Sequence, residues 1–523
     1  MAVAPHHLAS QAALAILRNG GNAIEAMVAA ASTIAVVYPH MNSIGGDGFW
    51  LIAKPNGETV AIDACGAAAK AVSTETYTSR GLKSIPFRGP LAANTVAGTV
   101  SGWELALKIS AEMGGKQSLN NLLADAIHYA SNGFPVTESQ SALTLAKLGE
   151  LRDVAGFAEV FLPGADRAVP ATGSNFTNPK LALTLRMLAD DGLGSFYRGP
   201  LADKIAADLA AVGSLVGIDD LHAHRAELKQ PLQVAHSAGT LFNTAPPTQG
   251  LVSLAILGLL DRAGLSSVQA DSADHVHLTV EATKLAFGLR DRFITDPAYM
   301  QVDPQSLLTS EALDSLAQKI DIQHAAPWGA GKGPGDTIWM GVCDADGLAV
   351  SFIQSIYHEF GSGIVLPSTG INWQNRGASF SLDPAHLCAL LPGKKPFHTL
   401  NPAAARLHDG RVMVYGNMGG DGQPQSQAAV FTRHVVFGQA LQTAVSAPRW
   451  LLGRTWGESS DSLKLESRFS PETVQTLRAR GHEVDVLGAY DSAFGHAGAI
   501  VRHPGGTLEG ASDPRSDGVV AAF

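Results

Sequence analysis

Thr337 stands at the junction of two unlike stretches. "GAGKGPGD" before it is glycine-rich, and "TIWMGVC", which it opens, is apolar and runs into the turn sequence "DADG". A threonine hydroxyl is a poor nucleophile unless a base lies beside it. Cleavage of the Asp336–Thr337 bond would give Thr337 a free α-amine, whose ordinary pKa of about 7.7–8.0 suits a general base near neutrality. One residue would then supply both nucleophile and base. A β-branched residue opening a strand is also ordinary, and spacing alone favours that plainer reading.

The elements that must position Thr337 follow from pattern. Residues 8–38 read as two helices, with Gly20-Gly21 ending the first and Asn22 capping the second. "NSIGGDGFWLIAKPNGETVAIDACG" reads as a glycine-rich turn, a strand, a hairpin turn at "PNGE" and a returning strand. From about 100 to 320 the pattern is mostly helical, as in "NLLADAIHYASNGF" and "VEATKLAFGLRDRFI". Residues 326–336, "APWGAGKGPGD", are the clearest linker-like segment. After it come three hairpin patterns: "TIWMGVC-DADG-LAVSFIQSI", "AAARL-HDG-RVMVYGNM" and "AGAIVR-HPGGT-LEGAS". Repeated hairpins predict antiparallel sheets. Their strands are apolar on much of both faces, which predicts helices on the outside and a four-layer αββα sandwich of the α+β class.

Composition agrees with a large globular chain. Of 523 residues, 46 % are hydrophobic and 16 % charged, and glycine numbers 55. The net charge of -10, with no basic run, argues against a nucleic-acid footprint and for a small-molecule ligand. The start, "MAVAPHHLAS", lacks the basic first region and apolar core of a signal peptide. The apolar run from Met27 to Tyr38 is too short to span a bilayer, so no membrane association is expected. Cys65, Cys343 and Cys388 are odd in number and far apart, which points to a reducing, cytoplasmic setting without a disulfide framework.

Several stretches carry a family signature: "ILRNGGNAIEAMVAA", "GGDGFWL", "NTVAGTVSGWELAL", "FGSGIVLPSTGINW", "GNMGGDG" and "GASDPRSDG". With these, nearly the whole chain resembles the γ-glutamyltransferase family of N-terminal-nucleophile hydrolases. The resemblance implies a precursor that cuts itself between Asp336 and Thr337. The products, 1–336 and 337–523, would stay interwoven as a heterodimer, which could pair further. Thr337 would be the nucleophile, Ser355 its hydroxyl partner, and Gly419 and Gly420 the backbone donors of an oxyanion hole, where glycine permits close approach. Family members often carry Thr-Thr-His at the cut, whereas this chain has Thr337-Ile338-Trp339. Only the first threonine is needed for the chemistry.

The departures bear on substrate. Cys65 replaces the arginine that grips an α-carboxylate in the family's transferases. Ser379 replaces the acid that takes the α-ammonium, His398-Thr399 replaces a serine pair, and Tyr357 replaces an asparagine. The segment from Phe380 to Pro396 is shorter than the family's lid-bearing loop. Losing both charged grips on an amino acid is enough to change substrate class. Arg376 remains as the leading carboxylate grip, since a guanidinium matches a carboxylate bidentately. Tyr357, His398 and Thr399 could add neutral hydrogen bonds. The expected substrate is a small anionic amide, which among the family's branches resembles that of the oxamate amidohydrolases of purine-nitrogen breakdown. A γ-glutamyl hydrolase or transferase with an unusual clamp, or a glutaryl-type acylase, are the alternatives. A degenerate member that only binds an anion is disfavoured by the presence of Thr337 and the glycine pair.

No cofactor or metal is required by this chemistry. "GAGKGPGDT" lacks the Ser or Thr that must follow the lysine of a phosphate loop. "IGGDG" has no dinucleotide fingerprint around it. His222/His224 and His275/His277 have the spacing of metal pairs, but without CxxC or HExxH they read as surface or helix-capping histidines.

Overall fold

The computed structural model describes residues 1–328, 336–453 and 461–523. Most of the linker-like segment, 329–335, therefore lies outside the described residues.

Two sheets form the centre. The first has seven strands in the order Val519–Ala521, Ala2–Ala4, Asp336–Cys343, Ala349–Tyr357, Asp47–Ala53, Thr59–Ala64 and Glu227–Lys229. The second has six, in the order Leu508–Ser512, Ala497–Arg502, Val412–Asn417, Ala403–Leu407, Gly239–Asn243 and Leu232–His236. Every strand pair within these two sheets is antiparallel. The three hairpins expected after residue 336 are all present, as is the hairpin closed by "PNGE".

Three apolar layers hold the sheets. Phe49, Leu51, Trp339, Ile353, Val414 and Ile500 fill the space between them. On the outside of the first sheet, Trp50, Ile52, Met340 and Phe352 pack with the helices Ala23–Val37 and Thr99–Glu112. On the outside of the second, Leu241, Ala405 and Tyr415 pack with the helices Gly250–Arg262, Ala273–Phe293 and Gly422–Phe431. This is the αββα sandwich that the doubly apolar strands predict: a strand covered on both faces loses its polar alternation.

Local chemistry sets the helix boundaries. Asn22 Oδ1 accepts the N–H groups of Ile24 and Glu25, while the Glu25 carboxylate accepts the Asn22 N–H at 2.9 Å, a reciprocal cap. The helix that follows is buried along its whole length, because it runs beneath the first sheet. Asp344, in the turn after the Thr337 strand, accepts the Ala23 N–H at 3.0 Å and so ties the hairpin to that helix.

The stretch from 100 to 320 is mostly helical, as its pattern predicts, and it also holds the strands Glu227–Lys229, Leu232–His236 and Gly239–Asn243. These strands are short, and the sheet edges they complete lie far off in sequence, so local pattern alone understates them. His277 is not a surface residue but is buried inside the helix Ala273–Phe293, where Nδ1 meets His482 Nε2 at 2.8 Å. His275 does act near a helix start: its Nδ1 accepts the Asp271 N–H at 3.1 Å.

Candidate active site

Thr337 lies near the start of the strand Asp336–Cys343 and is fully buried; Ala349–Tyr357 runs beside it, and Ala2–Ala4 pairs with the far end of the strand at Gly341 and Val342. Opposite Thr337 the register slips. Ile338 pairs with Gln354 and Asp336 with Tyr357, so Ser355 and Ile356 together face Thr337. Such a bulge re-aims side chains, and here it turns the Ser355 hydroxyl toward the threonine. The Thr337 and Ser355 oxygens are 3.5 Å apart. Ser355 Oγ also accepts the Tyr357 N–H at 2.8 Å, which fixes its rotamer. Tyr357 holds φ at 80°, a conformation that costs a non-glycine residue energy and that recurs at functional sites.

The second sheet supplies the opposite wall. After the strand Val412–Asn417 the chain turns through Gly419 (φ 115°) and Gly420 (φ 52°), left-handed values that favour glycine. Neither backbone N–H donates to an acceptor among the described residues. Gln423 follows in the first turn of the next helix, and its Nε2 donates to Thr337 Oγ1 at 3.3 Å. Gln423 Oε1 in turn accepts from Asn401 Nδ2 at 3.3 Å.

A buried brace holds this turn. Gln249 Nε2 donates to the carbonyls of Thr399 and Gly420, each at 2.8 Å. Arg290, fully buried, donates to Asp421 at 2.9 Å and lies 4.1 Å above the Phe287 ring. Asp421 and the neighbouring Asp291 raise the guanidinium's proton affinity against the opposing effect of burial. Sequence reading missed Gln249, Arg290 and Gln423, because their partners lie tens to hundreds of residues away.

The expected carboxylate grips gather at the far side of Tyr357. The Arg376 guanidinium sits 4.0 Å from the centre of the Tyr357 ring. It is 0 % exposed, and none of its three side-chain nitrogens has a hydrogen-bond partner among the described residues. Burial lowers its pKa to about 10, so it stays charged at neutral pH. His398 packs edge-on to Phe49, 4.9 Å between ring centres, and both of its ring nitrogens lack partners. Burial, with help from the Arg376 charge, holds that imidazole well below its usual pKa and hence neutral. Thr399 Oγ1 and Ser379 Oγ are also buried and unpartnered. Asp47, which sequence reading passed over inside "GGDG", lies 3.4 Å from His398 Nε2. A cavity of about 250 Å³ is lined by Tyr357, Ser379, Phe397, Thr399 and Asp421. That volume suits a ligand smaller than a typical drug.

The structure thus sets Ser355 against Thr337, links Thr337 through Gln423 to the Gly419–Gly420 turn, ties the Thr399 carbonyl to that turn through Gln249, and stacks Arg376 on Tyr357, while His398 faces Phe49 and Asp47. Cys65 is a buried free thiol that burial keeps protonated. Among the described residues one group, His277, Glu281 and His482, has the side-chain types and proximity to hold a metal ion, and it is separate from this site.

Comparison with known proteins agrees with the geometry. The model of the gamma-glutamyltranspeptidase family matches residues 9–523. An oxamate amidohydrolase proenzyme from Klebsiella pneumoniae is 64 % identical over 524 residues, covering 100 % of this chain and 98 % of that protein. The glutathione hydrolase-like YwrD proenzyme of Bacillus subtilis is 40 % identical, with the same coverage. Among solved structures, cephalosporin acylase from Bacillus halodurans superimposes with a TM-score of 0.90 at 34 % identity, covering 100 % of this chain and 95 % of that one.

Proposed function

The chain belongs to the gamma-glutamyltranspeptidase family of N-terminal-nucleophile hydrolases, and from that premise we propose that it is a self-processing amidohydrolase that converts oxamate to oxalate and ammonia. The observation that carries the substrate reading is Arg376: a buried, charged guanidinium without a hydrogen bond among the described residues, stacked on Tyr357, which lines a small cavity. It can pair with one carboxylate, and buried polar groups in native proteins nearly always have a partner. The likeness to the Klebsiella proenzyme supports the same choice.

In this reading the precursor cuts itself between Asp336 and Thr337. The freed α-amine of Thr337 takes the proton from its own hydroxyl, and Oγ attacks the amide carbon of oxamate. Gly419 and Gly420 N–H groups stabilise the oxyanion. The C–N bond then breaks, the nitrogen takes the proton from the α-ammonium, and ammonia leaves. The resulting ester on Thr337 is attacked by water, which gives a proton to the same amine. Collapse of the second tetrahedral species releases oxalate and restores the hydroxyl. Ser355 and Gln423 hold the Thr337 oxygen in line. Tyr357, His398 and Thr399 flank the bound carboxylate.

A second reading, hydrolysis of a glutaryl- or γ-glutamyl-type amide, draws support from the acylase and glutathione hydrolase relatives. An ammonia-release assay on oxamate and glutamine, with product analysis for glutathione and a glutaryl amide, separates the two. Efficient turnover of oxamate alone is the expected result; turnover of γ-glutamyl donors with oxamate inert would overturn the assignment.

A further inference from the structure

A second ionisable group lies close enough to Arg376 for the two charges to act on each other, and its place in the chemistry is open. Asp47 starts the strand Asp47–Ala53 and is fully buried. Its two oxygens have different surroundings. Oδ1 accepts the N–H groups of Gly66 at 3.0 Å and Gly98 at 2.9 Å, which pins the carboxyl group in place. Oδ2 has no hydrogen-bond partner and faces His398 Nε2 at 3.4 Å. His398 and Arg376 are unpartnered as well. A cation, a carboxyl group and an imidazole are thus buried near one another, and none hydrogen-bonds another.

The geometry points to Asp47 as a specificity-determining residue of this site: it carries a proton when substrate is bound, presents Oδ2–H to the pocket, and leaves the Arg376 charge available for a single carboxylate. The inference rests on the reading of Arg376 as the substrate's carboxylate grip. The reason is charge balance. With Asp47 ionised, its charge cancels that of Arg376 and an incoming anion gains little. With Asp47 neutral, the pocket holds one net positive charge and one extra donor, which match one carboxylate. An anion entering beside an ionised Asp47 would also put two negative charges in one buried site, which itself drives uptake of a proton from solvent.

The surroundings support this. Burial raises the Asp47 pKa to about 7, against the two backbone N–H groups, the Arg376 charge and the Gln374 side chain, all of which favour the ionised form. The other titratable groups facing it do not take over the role. His398 stays neutral for the reasons given above. The Cys65 thiol and Tyr197 phenol are pushed up by burial and remain protonated. Lys395 and Asp63, the nearby ion pair, compensate each other at 2.7 Å.

The test uses processed wild-type enzyme and glycolate, a monoanion slightly smaller than oxamate with no amide to cleave. Calorimetric titration at pH 8 in two buffers of different ionisation enthalpy reads proton uptake directly. About one proton should enter per glycolate at pH 8, and almost none at pH 5.5, where Asp47 is already protonated. As a competitive inhibitor of oxamate turnover, glycolate should weaken about tenfold per pH unit above pH 7. Asp47→Asn keeps an oxygen for Gly66 and Gly98 but cannot ionise, so the steep weakening just above pH 7 should disappear in that variant. Glycolate binding without proton uptake at pH 8, no glycolate binding in an enzyme that hydrolyses oxamate, or an unchanged pH dependence in Asp47→Asn would each overturn the role of Asp47. If wild-type enzyme does not hydrolyse oxamate at all, the substrate reading itself has failed instead.

Discussion

Gln423 reaches from the helix behind the Gly419–Gly420 turn to the Thr337 hydroxyl, with 3.3 Å between Nε2 and Oγ1. This contact joins the two sheets at the point of chemistry. It couples the nucleophile on the first sheet to the proposed oxyanion donors on the second, since Gln423 N–H also bonds the Gly420 carbonyl at 3.2 Å. Gln423→Ala should lower kcat by roughly 3–10-fold, the effect of one neutral hydrogen bond, with little change in KM for oxamate. Steady-state kinetics on the processed enzyme check this. A change in KM alone would place Gln423 in substrate binding.

Ser355 touches the same oxygen from the other side. Ser355→Thr should keep most activity, because the hydroxyl is retained. Ser355→Ala should lose kcat, and it should also process more slowly, because the same Thr337 oxygen is the nucleophile in the proposed self-cleavage. Comparing the fraction cleaved over time in the two variants decides the point; equal processing rates would separate Ser355 from the Thr337 hydroxyl.

Arg376 and Tyr357 are stacked, so the two should be energetically coupled. Arg376→Ala should weaken transition-state stabilisation by roughly 2–5 kcal/mol, as expected for a desolvated ion pair. Arg376→Lys should recover only part, because an ammonium lacks the two-pronged fit. Tyr357→Phe keeps the ring beneath the guanidinium and should bind substrate nearly as well as wild type, whereas Tyr357→Ala should not. An Arg376→Ala enzyme with unaltered kcat/KM for oxamate would contradict the clamp.

The brace behind the turn makes a separate forecast. Arg290→Met removes a charged partner of buried Asp421. Breaking a buried pair from one side costs about 3–5 kcal/mol, so thermal stability should fall clearly. Asp421→Asn retains a hydrogen-bond acceptor for Arg290 and should be milder. Melting curves of both variants test the order.

Much of the fold was legible because its signals are local. The turns "PNGE", "DADG", "HDG" and "HPGGT" each sit between apolar runs, and each closes a hairpin. Asn22 and Glu25 announce their helix start within four residues. The short strands near 227–243 were lost because their partners come from distant parts of the chain: Gly239–Asn243 pairs with Ala403–Leu407. The site also divides. Thr337, Ser355 and the glycine pair were reached through the family resemblance, since local pattern alone favours a plain strand and turn. Asp47, Gln249, Arg290 and Gln423 were not, since nothing around them in sequence says that they meet. His398 and Arg376 were visible as candidates, but their shared burial with Asp47 was not.

The account turns on Thr337 as a nucleophile exposed by cleavage. Thr337→Ala should remain a single, folded, inactive chain, while Thr337→Ser should process and retain some activity. Strands from both sides of the cut interleave in the first sheet, with Ala2–Ala4 bonded between Val519–Ala521 and Asp336–Cys343, and Ala349–Tyr357 bonded to Asp47–Ala53, so the two products should stay together until denatured. The most direct measurement is the intact mass of the purified active protein under denaturing conditions. Two species are expected, residues 1–336 and residues 337–523, the second beginning with threonine; one uncut chain with full activity would contradict the account.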